Sequence, residues 1–371
     1  MKVRGLLDPL LHRILRLRRR RAKASGVLLV SSRGPAEMVF LSAVLGRLML
    51  LGHQDESVTL LCRRDAASMS FIFPRTLRLR RVDFRHLDDL SYRWTLFREL
   101  YQAHYRLVVS LDLARVADED EALIAAAAAD ESVAMLPPPS KGRAQRIAEG
   151  KAVFSWMFDS GSLRQDKILR WSRFADALLE DNERCELALL PDEQLPPEVR
   201  MPDTVVLFPF SAVAQRQLPP ALWRLVIDAL PHHWQILVAG HHTDFDRNPE
   251  FMSLLALPNV SRETAGFANL AGMLRGSRMA IGVDTAGLHL AVVLGVHSLC
   301  LASAAYAGGG VPYDEMVAPS NVQFIYAPLP CQGCMGRCKF PLEDGMFRCV
   351  AAIDTDKVLA AIHDSMARGM V

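Results

Sequence analysis

The sequence predicts an α/β protein built from two doubly wound domains in tandem, and three observations carry that expectation. Short apolar runs of strand length alternate with longer segments of helical period, first between residues 26 and 180 and again from residue 204 onward. Such alternation lays helices over both faces of a mostly parallel sheet. Between the two sets lies the polar, proline-rich stretch Asp192-Glu-Gln-Leu-Pro-Pro-Glu-Val-Arg-Met-Pro202, which reads as a linker over residues 192–203. At 371 residues, 50% hydrophobic and 23% charged, the chain is long enough for two such domains, each with its own core. No repeat of fixed period is present.

The first 25 residues stand apart. Leu7, Leu10, Leu11, Ile14 and Leu15 fall at helical spacing ahead of Arg16-Leu-Arg-Arg-Arg-Arg21. Asp8, Pro9, His12 and Arg13 break the apolar run and no small-residue cleavage site follows, which argues against a secretory signal. Two readings are open: a basic helix resting on anionic lipid with its Arg side chains reaching phosphate, or a disordered basic tail. Residues 1–26 hold nine Lys or Arg against one Asp, so the net charge of +2 conceals an acidic body, and nucleic-acid binding is not indicated.

The first domain is expected over residues 26–191. Val27–Val30 is a buried strand, Ser31–Glu37 a loop and Met38–Leu51 an apolar helix; Val58–Cys62 and Arg106–Leu111 are further strands. Residues 117–135 are rich in Ala and acids, Pro137–Pro139 is a rigid loop, and Ile168–Glu180 is an amphipathic helix.

The second domain is expected over residues 204–353. Its strands are Thr204–Phe208, Trp234–Ala239, Met279–Val283 and Val296–Leu301, with a helix at Pro220–Leu230. A last helix, Asp354–Met366 within residues 354–371, follows. Thr285–Tyr313 contains no Lys, Arg, Asp or Glu, but two His and five Gly mark it as a buried α/β unit rather than a membrane span.

The run Met279-Ala-Ile-Gly-Val-Asp-Thr-Ala-Gly-Leu-His-Leu290 carries the most chemical information. A strand ends at Asp284, and ligands gather at such strand ends. Thr285 brings a hydroxyl, Ala286 and Gly287 allow backbone amides to approach closely, and the following helix presents a positive N-terminus. This chemistry suits a diphosphate, hence a nucleotide-activated donor. The plain alternative is a strand-to-helix connection with Asp284 or Thr285 as N-cap.

Asp284-Thr-Ala-Gly-Leu-His-Leu-Ala291 followed by Leu294-Gly-Val296 resembles the donor motif of glycosyltransferase family nine, the bacterial heptosyltransferase family. Ala286 replaces a Gly of that motif. Phe208-Pro-Phe-Ser-Ala-Val-Ala-Gln-Arg-Gln-Leu-Pro219 resembles a second motif, with Arg216 where the family places a phosphate-pairing Lys and Ser211 at a hydroxyl position. Ala36-Glu37 stands where the family carries Gly-Asp at the end of the first strand.

The resemblance spans about residues 26–365 and implies the GT-B architecture, two Rossmann-like domains facing a central cleft. It implies an inverting glycosyltransferase that moves a sugar, heptose first, from a nucleotide diphosphate donor, ADP-heptose first, to a lipopolysaccharide, polysaccharide or protein acceptor. Donor contacts fall on Ser211, Arg216, Gly240, Asp244, Asp284, Thr285, Ala286, Gly287 and His289, with His242 an alternative to Asp244. Glu37 takes the place of the base. Gly308–Gly310 is either a source of backbone amides or a plain loop. No catalytic divalent cation is required, because Arg and helix amides stabilise the departing diphosphate. The last helix packs back toward the first domain, and the protein is cytoplasmic, on the inner face of the inner membrane, with an anionic membrane surface as a partner. A catalytically silent relative serving as a membrane-associated binding module is the rival reading.

Of seven Cys, Cys62, Cys185 and Cys300 sit in apolar or helical settings and read as buried small hydrophobes. The other four cluster as Cys331-x2-Cys334-x3-Cys338-x10-Cys349. A structural zinc or iron held by four thiolates is the sharper reading; reduced thiols and disulfides are the alternatives. Similar clusters occur in family members, one subgroup of which is said to use an iron finger.

Overall fold

The computed structural model describes residues 4–20, 23–139, 142–162, 164–182 and 195–368. The chain divides into two compact units, Met1–Ser162 with Arg170–Arg184, and Leu163–Leu169 with Cys185–Val371. Cys185 and residues 192–194 of the expected linker lie outside the described residues.

In chain order the first set of elements is α1 (Arg4–Arg16), β1 (Val27–Val30), α2 (Pro35–Met49), β2 (Val58–Arg63), β3 (Arg78–Val82), α3 (Leu90–Ala103), β4 (Leu107–Ser110), α4 (Ala122–Ala127), β5 (Glu131–Met135), α5 (Arg143–Gly150), β6 (Trp156–Phe158) and α6 (Lys167–Leu179). The six strands are parallel in the order β3-β2-β1-β4-β5-β6. β1 is fully buried and reads as an unbroken apolar run because helices cover both faces of the sheet. β3, Arg-Leu-Arg-Arg-Val, has no such run; it is an edge strand, where charge blunts further pairing. α2 begins three residues earlier than expected, since Gly34 is extended and Pro35 suits the first helical turn.

α1 is an ordered helix packed on α3 and α4, not a loose tail. Leu15 is buried in the core of this unit and Leu11 packs against it. Asp8 forms a buried ion pair with Arg93, whose Nε donates to Asp8 Oδ1 at 2.7 Å, and the His12 ring lies 4.9 Å from that of Phe97. The apolar residues expected on one face are therefore split: Leu11 and Leu15 face inward, whereas Leu10 and Ile14 are exposed. Among the described residues no helix is long and apolar enough to cross a membrane.

The second set is β7 (Met201–Phe208), α7 (Pro220–Asp228), β8 (Gln235–Ala239), α8 (His242–Arg247), α9 (Met252–Leu255), β9 (Val260–Glu263), α10 (Phe267–Gly276), β10 (Ser277–Val283), α11 (Ala286–Val293), β11 (Ser298–Leu301), β12 (Val322–Ile325), α12 (Arg348–Ala351) and α13 (Thr355–Arg368). Its parallel sheet runs β12-β11-β10-β7-β8-β9. Met201, Pro202 and Asp203, read as the end of the linker, instead open β7. The Pro-rich approach to β7 is tied down: Val199 N–H donates to Gly272 O at 2.9 Å and Arg275 Nη1 to Pro196 O at 2.6 Å, satisfying carbonyl and amide groups that a free linker would leave to water. Val358, Ala361 and Ile362 seat α13 in the core of this second unit, against α7 and β11.

Both sheets share one strand order when each is numbered from its own first strand. Each reverses direction of growth once, between β1 and β4 and between β7 and β10, and ligands of open α/β sheets lie beyond the strand ends at that point.

Candidate functional site

At the second switch point β7 and β10 lie side by side, with Leu207 opposite Ile281 and Phe208 opposite Gly282. After β7 the chain passes Ser211 and makes one helical turn, Ala214–Arg216; after β10 it enters Asp284, Thr285 and α11. The register brings two distant charges together. Arg216 Nη1 pairs with Asp284 Oδ2, and the other carboxylate oxygen, Oδ1, takes a hydrogen bond from His289 Nε2 at 2.9 Å. His289 is almost wholly buried and its Nδ1 lies 2.7 Å from Tyr313 Oη. Burial pushes the Tyr313 phenol up, so it stays protonated and donates to Nδ1, which leaves the proton on Nε2 for Asp284.

Burial alone would raise the Asp284 pKa. The hydrogen bond from His289 and the charges of Arg216 and Lys167 more than offset it and hold the carboxyl at about 2. Arg216 and Asp284 each keep 14% of the side chain exposed, so the pair borders solvent. The guanidinium lies over the Tyr306 ring at 4.8 Å, and its buried Nε has no hydrogen-bond partner among the described residues. Thr285 occupies the N-cap position with an extended backbone and its hydroxyl makes no capping bond. Asp284, Thr285 and Ala286 are partly exposed, whereas Gly287–Val293 are buried. Gly287 is required by packing, because a Cβ there would collide with the Phe208 ring.

Ser211 lies in the same turn: its N–H donates to Gln217 Oε1 at 2.9 Å and its Oγ accepts from Val213 N–H at 3.3 Å. Gly240 closes β8 so tightly on Phe210 that a Cβ would sit 2.6 Å from the ring. Asp244 caps the short helix α8, its Oδ2 accepting from His241 N–H at 2.9 Å, and His242 is exposed. In the Gly308–Gly310 loop, Gly309 N–H is bound to Tyr306 O at 2.9 Å.

Sequence reasoning missed the segment before α6. Arg164 Nε donates to Gly333 O at 3.1 Å; Asp166 accepts from Ile168 N–H at 2.7 Å and from Asp314 N–H at 3.3 Å. Next to them Lys167 runs its methylenes along Gly310, 3.7–3.9 Å from where a Cβ would stand, and adds a second cation to the Asp284 field. A cavity of about 590 Å³ opens here, lined by Asp166, Gly308, Tyr313, Asp314 and Tyr326 among others. Nothing in the local pattern of residues 164–167 marks them as site residues, since their partners lie some 150 positions away.

At the first switch point Glu37 is a half-buried residue in the first turn of α2. Beside this loop stands a carboxylate that sequence reasoning also missed. Asp112, just beyond β4, accepts from Ser31 Oγ at 3.0 Å, Ser32 N–H at 2.8 Å and Ser32 Oγ at 3.1 Å, with Arg33 Nε 3.6 Å away. Burial pushes its pKa up against the pull of Arg33 and the serines, and Asp120 nearby is raised by burial as well. An acid just past a buried strand, the same signal that marked Asp284, would have found Asp112.

Cys331, Cys334, Cys338 and Cys349 are free thiols. Gly333, Gly336 and Gly345 all adopt positive φ, and Cys349 Sγ lies 3.3 Å from Ser303 Oγ. Burial raises the Cys334 pKa, and the neighbouring Cys338, Cys331 and Cys349 push in the same direction. They do not close into a tetrahedron: among the described residues no group of three His, Cys, Asp or Glu is placed to hold a metal ion. Cys62 and Cys300 are buried as expected.

No protein-family model and no curated protein sequence matches the chain. Solved structures do. A glycosyl transferase family 9 structure from Veillonella parvula is similar with a TM-score of 0.67 at 12% identity, covering 94% of this chain and 100% of that one. The E. coli heptosyltransferase WaaC, solved with ADP-2-deoxy-2-fluoro heptose, is similar at 0.63 and 13% identity, covering 91% and 99%. The iron-containing dodecameric glycosyltransferase TibC from enterotoxigenic E. coli is similar at 0.54 and 11% identity, covering 95% and 78%. At such identities the likeness concerns architecture, and it agrees with the strand order of both sheets: the chain has the two-domain α/β GT-B fold of these glycosyltransferase structures.

Proposed function

We propose that the protein is a glycosyltransferase that takes its sugar from a nucleotide diphosphate donor. The observation that carries this reading is the Asp284 centre: a carboxylate fixed by Arg216 and His289 at the switch point of a parallel sheet, beside the N-terminus of α11. Arg216, Lys167 and the free amides of the first turn of α11 supply positive potential for a diphosphate. Asp284 and the Thr285 hydroxyl remain to hold sugar hydroxyls, and Ser211 lies in the turn that carries Arg216. Gly240 and the Asp244 helix frame the end of β8, where the nucleoside is proposed to lie.

In the proposed reaction the acceptor oxygen forms a bond to the anomeric carbon from the face opposite the diphosphate. The bond from that carbon to the diphosphate oxygen breaks, and Glu37 takes the hydroxyl proton. Negative charge collects on the leaving diphosphate, where Arg216 and the helix amides stabilise it without a divalent cation. Inversion at the anomeric carbon follows. Heptose carried by ADP is the first candidate donor, because WaaC was solved with an ADP-heptose analogue. A glycan, glycolipid or protein is the acceptor, and the inner face of the inner membrane is the proposed location.

We propose that the four-cysteine loop holds one zinc or iron ion as a structural element, which requires the thiols to draw together from the open arrangement described above. The donor set suits a soft tetrahedral ion, and four protein ligands leave no open position for substrate. Protein purified without chelator should contain about one equivalent of metal, lost in Cys334→Ser; metal-free, fully stable protein would refute the site.

Calorimetry with ADP-, GDP- and UDP-sugars tests the main reading. One of them should bind and support transfer. Folded protein that binds no nucleotide sugar refutes it, and binding without transfer or hydrolysis would favour a silent binding module.

A further inference from the structure

α1 is apolar on two opposite faces. Asp8, Leu11, His12 and Leu15, spaced i, i+3, i+4 and i+7, form the face docked on α3 and α4. Leu10, Ile14 and Leu17 repeat the i, i+4, i+7 spacing on the other side and are 54%, 38% and 84% exposed. One exposed leucine means nothing. Leu10 and Ile14 on the helix and Leu17 one residue past its end, on a segment already anchored by its other face, form an exposed apolar stripe.

The charges around that stripe select what it fits. Arg13, Arg16, Arg18 and Arg19 are exposed. Residues 1–26 contain a single acid, Asp8, and the fold turns it inward onto Arg93. Residues 9–20 thus bring only apolar and cationic side chains to the outward side, and the acids Asp118, Glu121 and Glu149 border α1 at Pro9 and His12. Leucines favour an apolar phase and guanidinium groups favour phosphate, and an anionic bilayer offers both at one boundary. A nucleic acid would use only the charges, and an apolar protein groove only the stripe.

We propose that the outward face of α1 is a docking surface for an anionic lipid bilayer, with Leu10, Ile14 and Leu17 entering the headgroup–acyl boundary and the arginines pairing with lipid phosphates. The Asp8–Arg93 pair and Leu15 hold the helix to the body, so docking carries the whole unit to the membrane. The inference does not rest on sugar transfer, and lipid binding measured without donor fails or succeeds independently of it.

The full chain is sedimented with vesicles of phosphatidylcholine containing roughly a quarter phosphatidylglycerol, and with pure phosphatidylcholine, at low and high salt. Binding is expected only to the anionic vesicles and to weaken with salt. Leu10→Ser/Ile14→Ser/Leu17→Ser should lower it roughly tenfold or more with only a small loss of thermal stability, because none of the three belongs to the buried core; Arg13→Gln/Arg19→Gln should lower it while flattening the salt dependence. Equal binding to both vesicle types, no binding to either, or a triple variant that sediments like wild type overturns the proposal. So does a concentration-dependent dimer abolished by the triple variant, which would make the stripe a self-association face.

Discussion

The two switch points of this molecule place a carboxylate at the same position and treat it in opposite ways. Asp112, after the fourth strand of the first sheet, is buried under the Ser31 and Ser32 hydroxyls with Arg33 at 3.6 Å, and its pKa is raised. Asp284, after the matching strand of the second sheet, is paired with Arg216 and His289 at the edge of solvent, and its pKa is held at about 2. At Asp112 two hydroxyls, one amide and a half-exposed guanidinium at 3.6 Å do not offset burial, whereas at Asp284 a directly paired guanidinium with an imidazole N–H does. The second centre is therefore a permanent anion with cations around it, suited to a charged ligand. The first is a fully buried carboxyl held by the two serines beside the loop that leads to Glu37.

The proposed function adds a division of labour to that contrast, with chemistry proposed on the first unit and donor binding on the second. Its sharpest test is Glu37→Gln, expected to reduce kcat by about 10²–10⁴ while leaving calorimetric donor affinity nearly unchanged. Turnover equal to wild type would move the base elsewhere. Arg216→Ala should do the reverse, weakening donor binding about 10- to 100-fold by loss of charge-assisted bonds. If affinity is retained, the cation at the second centre serves only to neutralise Asp284.

The two carboxylates should also part company with pH. Asp284 has a folded pKa below its unfolded value, so its stabilisation is present above about pH 4 and is lost as pH falls toward 2; it amounts to about 2 kcal/mol. Asp284→Asn should abolish that part of the acid-side loss. Asp112 has a raised folded pKa, so its contribution is greatest below its unfolded value and declines as pH rises. Asp112→Asn should therefore gain on wild type as pH climbs above about 4. Denaturant titrations across pH measure both, and parallel profiles for the two variants would dissolve the distinction. The smallest effect is expected at Lys167: Lys167→Met should weaken ADP binding about three- to tenfold and AMP binding less, because a second cation matters most to the second phosphate. Equal losses for both nucleotides would place the lysine away from the diphosphate.

Residues whose role is local were legible from the chain. The strands β1, β2, β4, β7, β8 and β10 announce themselves because burial on both faces demands unbroken apolar runs. The edge strands do not: β3, β9 and β12 mix polar with apolar residues, and β6, though apolar, is only three residues long. Asp284, Thr285 and His289 could be picked out because strand, turn and helix meet within six residues, a grouping fixed by covalent spacing.

What the sequence by itself determined is the alternation of strand and helix, hence the two doubly wound sheets, and the identity of the loop after β10. Tertiary structure alone decided the rest. It set Arg216 on Asp284, Tyr313 behind His289, Asp112 under two serines and Lys167 along Gly310. It also chose which leucines of α1 turn inward. The reason is physical: periodicity records which face of an element is apolar, but not which charged or polar groups meet when parallel strands are laid in register. Those meetings are set by strand order and burial, and burial converts them into fixed ion pairs and shifted pKa values.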